Sequence, residues 1–184
     1  MLTEQNFIEA ATELQCFPAA ITAVAEVEAA GVGFLESGQP KILFERHIFS
    51  RLTQRKFDRT NPDISNRNPG GYKGGQAEHG RLNQATVLDR TAALKAASWG
   101  KFQILGQNFQ QAGFETLQEF INAMYHSEQQ QLKAFVGFIK ADKRLLKAIR
   151  NTDWQLFASV YNGPAYQKNR YDEKMAAAFE RLNR

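Results

Sequence analysis

Cysteine is almost absent from this chain, with Cys16 the single example among 184 residues. One cysteine cannot form an internal disulfide, so we expect synthesis in a reducing compartment. The three histidines lack the spacing of a zinc site. Glycine motifs that cradle phosphates or dinucleotides and the GxSxG of serine hydrolases are also missing. We therefore expect no metal, no cofactor and no nucleotide chemistry.

Long hydrophobic runs are missing as well. The N-terminal stretch MLTEQNFIEAATELQC carries acids where a secretory signal has basic residues, and no later apolar run is long enough to span a bilayer. We predict a protein made in the cytoplasm without a signal peptide, which must be released if its substrate lies elsewhere. The length predicts a single domain over residues 1–184 with no separate binding domain.

The net charge of +4 is unevenly distributed, because residues 131–150 hold six basic residues and one acidic residue. Apolar residues recur at helical spacing in this segment, so its simplest interpretation is a pair of core-facing helices with solvated basic faces. The alternative is that the basic face attracts anionic envelope polymers or lipopolysaccharide. This leaves a membrane-active or nucleic-acid-binding helical protein as a competing class of function.

Helical periodicity dominates the chain, which predicts a predominantly α-helical α+β fold. A first helix is predicted over residues 3–15, and a second runs from Pro18 to about Ala30, ending at Gly31. Two β-prone runs in residues 33–44 flank a turn at residues 37–40 and predict a small β-hairpin. The Asn-, Pro- and Gly-rich residues 58–80 are typical of an ordered loop lining a cleft.

Glu28 is the first candidate catalytic residue. It continues the apolar stripe of the second helix, at helical spacing from Ile21 and Val24. A glutamate near a helix end is usually solvated, but burial without a cationic partner raises a carboxyl pKa. A carboxyl that is protonated at neutral pH can act as a general acid.

Glu45 is the second candidate, inside LFERHIF and next to Arg46 and His47. It could instead be a structural ion-pair partner at the start of a helix, where the macrodipole favours its charge. Two carboxylates in different environments, one neutral and one ionised, are the standard equipment of glycoside hydrolysis. A hairpin between them would return both acids to one cleft.

Three motifs then agree in order and spacing with one superfamily. AVAEVEAAGVGF resembles the helix of the catalytic glutamate in goose-type lysozymes and soluble lytic transglycosylases, ASWGKFQILG their Gly-x-x-Gln-Ile motif and SVYNGPAY their Tyr-Asn motif. With KILFERHIF and GGYKGG added, residues 11–182 resemble the N-acetylmuramidase family of phage and prophage endolysins. The resemblance implies a lysozyme-like fold with a small β-hairpin near the catalytic cleft. It also implies hydrolysis of the β-1,4 bond between N-acetylmuramic acid and N-acetylglucosamine in peptidoglycan.

The resemblance assigns roles to individual residues. Glu28 takes the place of the catalytic acid, and Glu45 is the candidate for the second carboxylate, as base, nucleophile or water-orienting group. Gln103 matches the glutamine at the sugar site, and Tyr161 and Asn162 match the Tyr-Asn pair near the acid. Independently of the resemblance, Tyr72, Trp99, Tyr161 and Tyr166 offer flat aromatic faces for sugar rings, although Trp99 is more often part of a core and Tyr161 could simply hydrogen-bond inside the fold.

The nearest alternative function is a lytic transglycosylase, which uses one glutamate and forms a 1,6-anhydro product. The second carboxylate favours hydrolysis, since water attack needs a base or a nucleophile. The expected partners are peptidoglycan glycan strands, together with an anionic envelope surface if residues 131–150 bind one, and no nucleic acid. We expect a monomer made in the host bacterial cytoplasm that acts on peptidoglycan after release.

Overall fold

The computed structural model describes residues 1–164 and 166–184. In these ranges ten α-helices surround a small antiparallel sheet, so the predominantly helical α+β architecture predicted from periodicity is confirmed. The helices are α1 (Glu4–Leu14), α2 (Pro18–Ala29), α3 (Arg46–Leu52), α4 (Gln76–Leu88), α5 (Arg90–Lys95), α6 (Leu117–His126), α7 (Glu128–Ala141), α8 (Lys143–Arg150), α9 (Trp154–Tyr161) and α10 (Tyr171–Leu182). The strands are β1 (Ile42–Phe44), β2 (Ala97–Trp99) and β3 (Ile104–Leu105).

Helix α2 is the central element of the core. Pro18 occupies its first turn, where a missing backbone N–H costs nothing. Ile21 and Val24 are fully buried, and α1 and α10 pack against the helix. Ala30 ends it in the left-handed conformation (φ 51°), one residue before the glycine predicted to do so. Because its buried stripe runs through to its last turn, α2 carries Glu28 to the edge of the core.

The sheet differs from the predicted hairpin of residues 33–44. A tight turn forms over residues 35–38, two residues before the predicted one, with Gly38 N–H donating to Leu35 O at 2.9 Å. The pairing across it is the single bridge between Phe34 and Pro40. Strand β1 pairs instead with β2, and β2 pairs with β3. An isolated two-stranded ribbon buries little, whereas a third strand and the helices below it bury the apolar face of β1.

The two faces of the sheet have different roles. Ile42, Phe44 and Trp99 point into the core, each less than 5% exposed. Their neighbours alternate to the other face, because successive side chains of a strand point in opposite directions. On that face Leu43 lies opposite Ser98, which lies opposite Leu105, and this row is partly exposed.

The basic segment 131–150 forms α7 and α8. Its apolar side chains are buried, as the core-facing interpretation predicted, and they include Leu132, Phe135, Ile139, Leu145 and Ile149. The lysines and arginines between them lie on the exposed face. In the described part of the chain no helix combines the length and the apolarity needed to cross a bilayer.

Candidate active site

A cavity of about 500 Å³ opens beside the sheet row of Leu43, Ser98 and Leu105. It lies where the end of α2, the start of α3, the loop before α4 and the segment after α9 meet. Seven of the eight predicted site residues line it. They are Glu28, Glu45, Tyr72, Gln103, Tyr161, Asn162 and Tyr166.

Glu28 lies in the last turn of α2, partly buried in the cavity wall. Its Oε1 accepts a hydrogen bond from Nδ2 of Asn162 at 2.7 Å. Burial raises the pKa of Glu28 from 4.5 to about 7, and the Asn162 hydrogen bond only partly offsets this. The negative end of the helix macrodipole also opposes an ionised carboxyl at this position. Glu28 therefore holds its proton near neutral pH.

Two lysines fix the end of α2 just beyond Glu28. Lys41 Nζ donates to Ala29 O at 2.7 Å, and Lys101 Nζ donates to Gly31 O. Lys101 also pairs with buried Glu128 at 3.3 Å. These ammonium groups donate to carbonyls that a helix terminus leaves unpaired. Their positive charges also interact favourably with the negative end of the helix dipole. The backbone that carries Glu28 is thereby held in place.

Glu45 is the N-cap residue of α3, but its side chain makes no capping hydrogen bond. Instead its Oε2 accepts from the hydroxyl of Tyr72 at 2.7 Å and lies 3.3 Å from Nδ1 of His47. Burial and the neighbouring Glu45 raise the pKa of Tyr72 above its usual value, so the tyrosine stays protonated as a donor. Within residues 1–164 and 166–184, no group of three or more His, Cys, Asp or Glu side chains could hold a metal ion.

The loop that presents Tyr72 is clamped from one side by Arg46. Its Nε donates to Asn68 O at 3.0 Å and its Nη2 to Pro69 O at 3.3 Å. Gly71 has φ 75° and lies directly on the guanidinium, where an added Cβ would approach Nη1 to 3.0 Å. Gly71 of GGYKGG is thus required for the close approach of this loop to Arg46.

Glu78 clamps the same loop from the other side. It is fully buried and accepts from the backbone N–H groups of Lys73 and Phe44, at 2.6 and 3.0 Å, and from Arg81 Nη1 at 2.9 Å. Burial alone would raise the pKa of Glu78, but these donors outweigh it and hold the pKa below the ordinary value. Glu78 thereby links the Tyr72 loop to β1, the strand that leads into Glu45.

Gln103 adopts a left-handed backbone conformation (φ 49°) after the turn at Gly100. Its Nε2 donates to Gly100 O at 2.8 Å, which leaves the carbonyl oxygen as the group it can offer to the cavity. Gly100 is required here because it has φ 71° and an added Cβ would lie 2.6 Å from the side chain of Gln131. The Gly-x-x-Gln motif is therefore a turn that orients one amide.

The Tyr-Asn pair lies beside Glu28, but the two residues differ in what they can offer. The hydroxyl of Tyr161 donates to Phe102 O at 2.6 Å, and its ring stacks on Phe157 with centroids 5.2 Å apart. Burial, with the nearby Glu28 charge, raises the pKa of Tyr161 well above its usual value. Asn162 Oδ1 is buried without a hydrogen-bond partner in the described part of the chain. Asn162 therefore orients Glu28, while Tyr161 contributes its ring to the wall.

Trp99 does not belong to the site, which corrects the prediction that it stacks on a sugar. Its side chain is 1% exposed in the core, and Nε1 donates to Leu94 O at 3.1 Å. The residue that sequence reasoning missed is Tyr171, which lines the cavity at the start of α10. Burial raises its pKa, and the charges of Glu28 and Glu45 both add to the rise, so Tyr171 lies within electrostatic reach of both carboxyls. Its helical sequence context gave no indication of this.

Comparison with known proteins agrees with this geometry. The model of the N-acetylmuramidase family matches residues 17–183, a range that includes every residue of the cavity. The chain belongs to the N-acetylmuramidase family. It is therefore a glycoside hydrolase of the lysozyme type. No curated protein matches this muramidase in sequence.

A solved structure supports the same assignment. The crystal structure of the Burkholderia AP3 phage endolysin superposes on this muramidase with a TM-score of 0.89 and 44% sequence identity. The alignment covers 99% of this chain and 70% of the endolysin chain. At this identity the likeness extends beyond the fold to the sequence, and the expected lysozyme-like fold is confirmed.

Proposed function

We propose that this muramidase hydrolyses the β-1,4 bond between N-acetylmuramic acid and N-acetylglucosamine in peptidoglycan, with Glu28 as the general acid. The observation that carries the proposal is a carboxyl with a pKa of about 7 in the wall of a cavity that a second carboxyl also lines. Cleavage needs a proton on the leaving oxygen, and a carboxyl protonated near neutral pH can supply it.

Glu45 takes the role of the second carboxylate. The Tyr72 hydroxyl donates to its Oε2, and water attack on the oxocarbenium-like transition state needs such a base, nucleophile or water-orienting group. We expect Glu45→Gln to lower the hydrolytic kcat by about a hundredfold or more, the lower range for loss of a general base. The isosteric amide keeps the Tyr72 hydrogen bond, so a variant with near-normal kcat would remove Glu45 from the mechanism.

The remaining cavity residues are proposed to bind the sugars. The free amide oxygen of Gln103 can accept from an acetamido N–H or a hydroxyl. Tyr72 is 46% exposed at the cavity rim and offers a ring face, while Tyr161 and Tyr166 form part of the wall. Alanine at Gln103 should raise KM more than it lowers kcat if this contact serves binding rather than chemistry.

Product analysis tests the proposed reaction. Purified peptidoglycan is digested and the chain ends are identified by mass spectrometry, with the Glu28→Gln variant as the blank. Reducing muramic acid ends that depend on Glu28 are expected. Anhydro ends would instead assign a lytic transglycosylase, and absence of cleavage would assign a binding protein. Glu28→Gln with near-normal turnover would contradict the choice of acid.

In the cell we propose the role of a phage or prophage endolysin, a monomer made in the bacterial cytoplasm that reaches peptidoglycan after release. Its likeness to the AP3 phage endolysin supports the endolysin role. A light-scattering mass above that of one chain would contradict the monomer.

The basic face of residues 131–150 is proposed to attract the anionic envelope by charge alone, since its apolar side chains are buried in the core. Lys143 and Lys147 are exposed, and Lys140 pairs with Glu13 at the surface. Replacing the three lysines with glutamine should weaken killing of intact cells and leave the digestion of purified wall unchanged. Unchanged killing would contradict it.

A further inference from the structure

A second cavity, of about 630 Å³, adjoins the active-site cavity along α3. His47 and Ile48 line both cavities, so the two spaces are direct neighbours. The second one is lined by three arginines, Arg51, Arg55 and Arg67, and we name it the arginine cavity. None of these arginines belongs to the catalytic constellation described above.

The arginine cavity carries a net positive charge. All three arginine side chains are exposed, and none has a carboxylate within 4.0 Å among the residues that the structure describes. The carboxylate that interacts electrostatically with two of these arginines is Asp58, whose pKa Arg67 and Arg55 help to lower. The main interaction of Asp58 is the hydrogen bond that it accepts from the Ser65 hydroxyl at 2.6 Å. The guanidinium groups are therefore available to an external anion.

One arginine has a fixed contact, and a backbone turn places a second one beside it. Arg51 Nη2 donates to Gln107 Oε1 at 2.9 Å, and the next residue, Asn108, lines the active-site cavity. Gln54 and Arg55 both have left-handed backbone conformations (φ 54° and 66°), which are uncommon for residues other than glycine. Both of their side chains line the arginine cavity. The turn after α3 thus places Arg55 beside Arg51.

We propose that the arginine cavity binds the carboxylates of the stem peptide attached to the muramic acid bound in the cleft. This inference rests on the proposed function, which puts a muramic acid residue in the active-site cavity that His47 lines. Each muramic acid carries a peptide on its lactyl group, and free carboxylates of that peptide would reach the adjoining space. Arginine is suited to such a ligand, because its planar guanidinium binds a carboxylate through two parallel hydrogen bonds.

The test uses soluble, uncross-linked peptidoglycan chains whose stem-peptide carboxylates are either free or converted to methylamides. For the wild type we expect KM to be about tenfold lower on free chains, the effect of two exposed arginine–carboxylate contacts acting together. Raising the ionic strength should reduce the difference. The triple variant Arg51→Gln, Arg55→Gln, Arg67→Gln is expected to lose the preference and to keep the wild-type kcat on amidated chains.

Two further variants act as controls. Arg90→Gln, Lys133→Gln, Arg184→Gln removes the same charge from exposed positions elsewhere and should keep the full preference. A variant with lysine at the three arginine-cavity positions keeps the positive charge but loses the planar guanidinium. It should keep part of the preference for free chains.

Three results would overturn the proposal. The first is an equal KM of the wild type on free and amidated chains, and the second is an equal loss of activity on both substrates in the glutamine variant. The third is a preference of the wild type for chains stripped of their stem peptides, in which the lactyl carboxylate is exposed. The proposed function would survive each of these results, because it fails if the wild type produces no reducing muramic acid ends from either substrate.

Discussion

Replacing Glu28 with glutamine is expected to abolish activity and, above neutral pH, to stabilise the fold. Burial raises the pKa of Glu28 from 4.5 to about 7. Each unit of pKa difference between folded and unfolded chains corresponds to about 1.4 kcal/mol, so ionising Glu28 in the folded protein costs about 3 kcal/mol. Glutamine has the same shape, keeps an oxygen for the Asn162 donor and never ionises. It therefore removes that cost.

The direction of the pH dependence follows from the order of the two pKa values. Below about pH 4.5 the carboxyl is protonated in both states, and wild type and variant should differ little in their free energy of unfolding. Between pH 4.5 and about 7 the unfolded chain has lost the proton while the folded chain holds it, so the wild type loses stability as pH rises. Above about pH 7 the gap levels off at about 3 kcal/mol in favour of the variant, or roughly 6–12 °C in Tm for a chain of this size.

Urea denaturation of both proteins from pH 4 to pH 9 measures this difference. All other titrating groups are common to the two proteins, so their contributions cancel in the difference between the two free energies of unfolding. Glu26→Gln is the matched control on the same helix, because its carboxylate forms an exposed pair with Arg181 and its loss should cost no more than about 1 kcal/mol. For the wild type, kcat/KM should fall above about pH 7 as the acid ionises. A constant stability difference across the range would refute the assignment of Glu28 as a buried proton holder.

Glu78→Gln should lower the free energy of unfolding at pH 7 by about 3–5 kcal/mol, since it leaves Arg81 buried and unpaired. Because the pKa of Glu78 is held below 4.5, its stabilisation is present above pH 4.5 and is lost as pH falls through the folded value, so urea denaturation at pH 3 should show a smaller gap. Tyr72→Phe should lower kcat/KM by about tenfold, because Glu45 loses one hydrogen-bond donor, and should change the free energy of unfolding by less than about 1 kcal/mol. Activity equal to that of the wild type would count against a role for this contact. Trp99→Ala should cost about 3–5 kcal/mol of stability in thermal unfolding, whereas Trp99→Phe should leave KM unchanged, and a raised KM would restore Trp99 to the sugar site.

Sequence patterns predicted the elements that depend on near neighbours. Pro18 and the residues around Gly31 marked the ends of α2, and the spacing from Ile21 to Glu28 placed the acid on its buried face. The partners of these elements were harder to predict. The turn at residues 37–40 suggested a hairpin, but β1 pairs with β2, more than 50 residues further along the chain. Trp99 was predicted to bind sugar for its flat aromatic face, with a place in the core as the alternative, and its position in β2 shows that it faces the core.

The sequence by itself determined that the chain forms a helical fold without disulfides and that Glu28 continues a buried stripe, because helical periodicity and turn chemistry act over a few residues. The Tyr-Asn motif placed Asn162 near the acid by resemblance, and the tertiary structure decided which atoms of Glu28 and Glu45 are bonded. Asn162 bonds Glu28 across 134 residues of sequence, and Tyr72 bonds Glu45 across 27. Such contacts, like the place of Tyr171 in the cavity, depend on how packed elements enclose a common space. No local pattern encodes that.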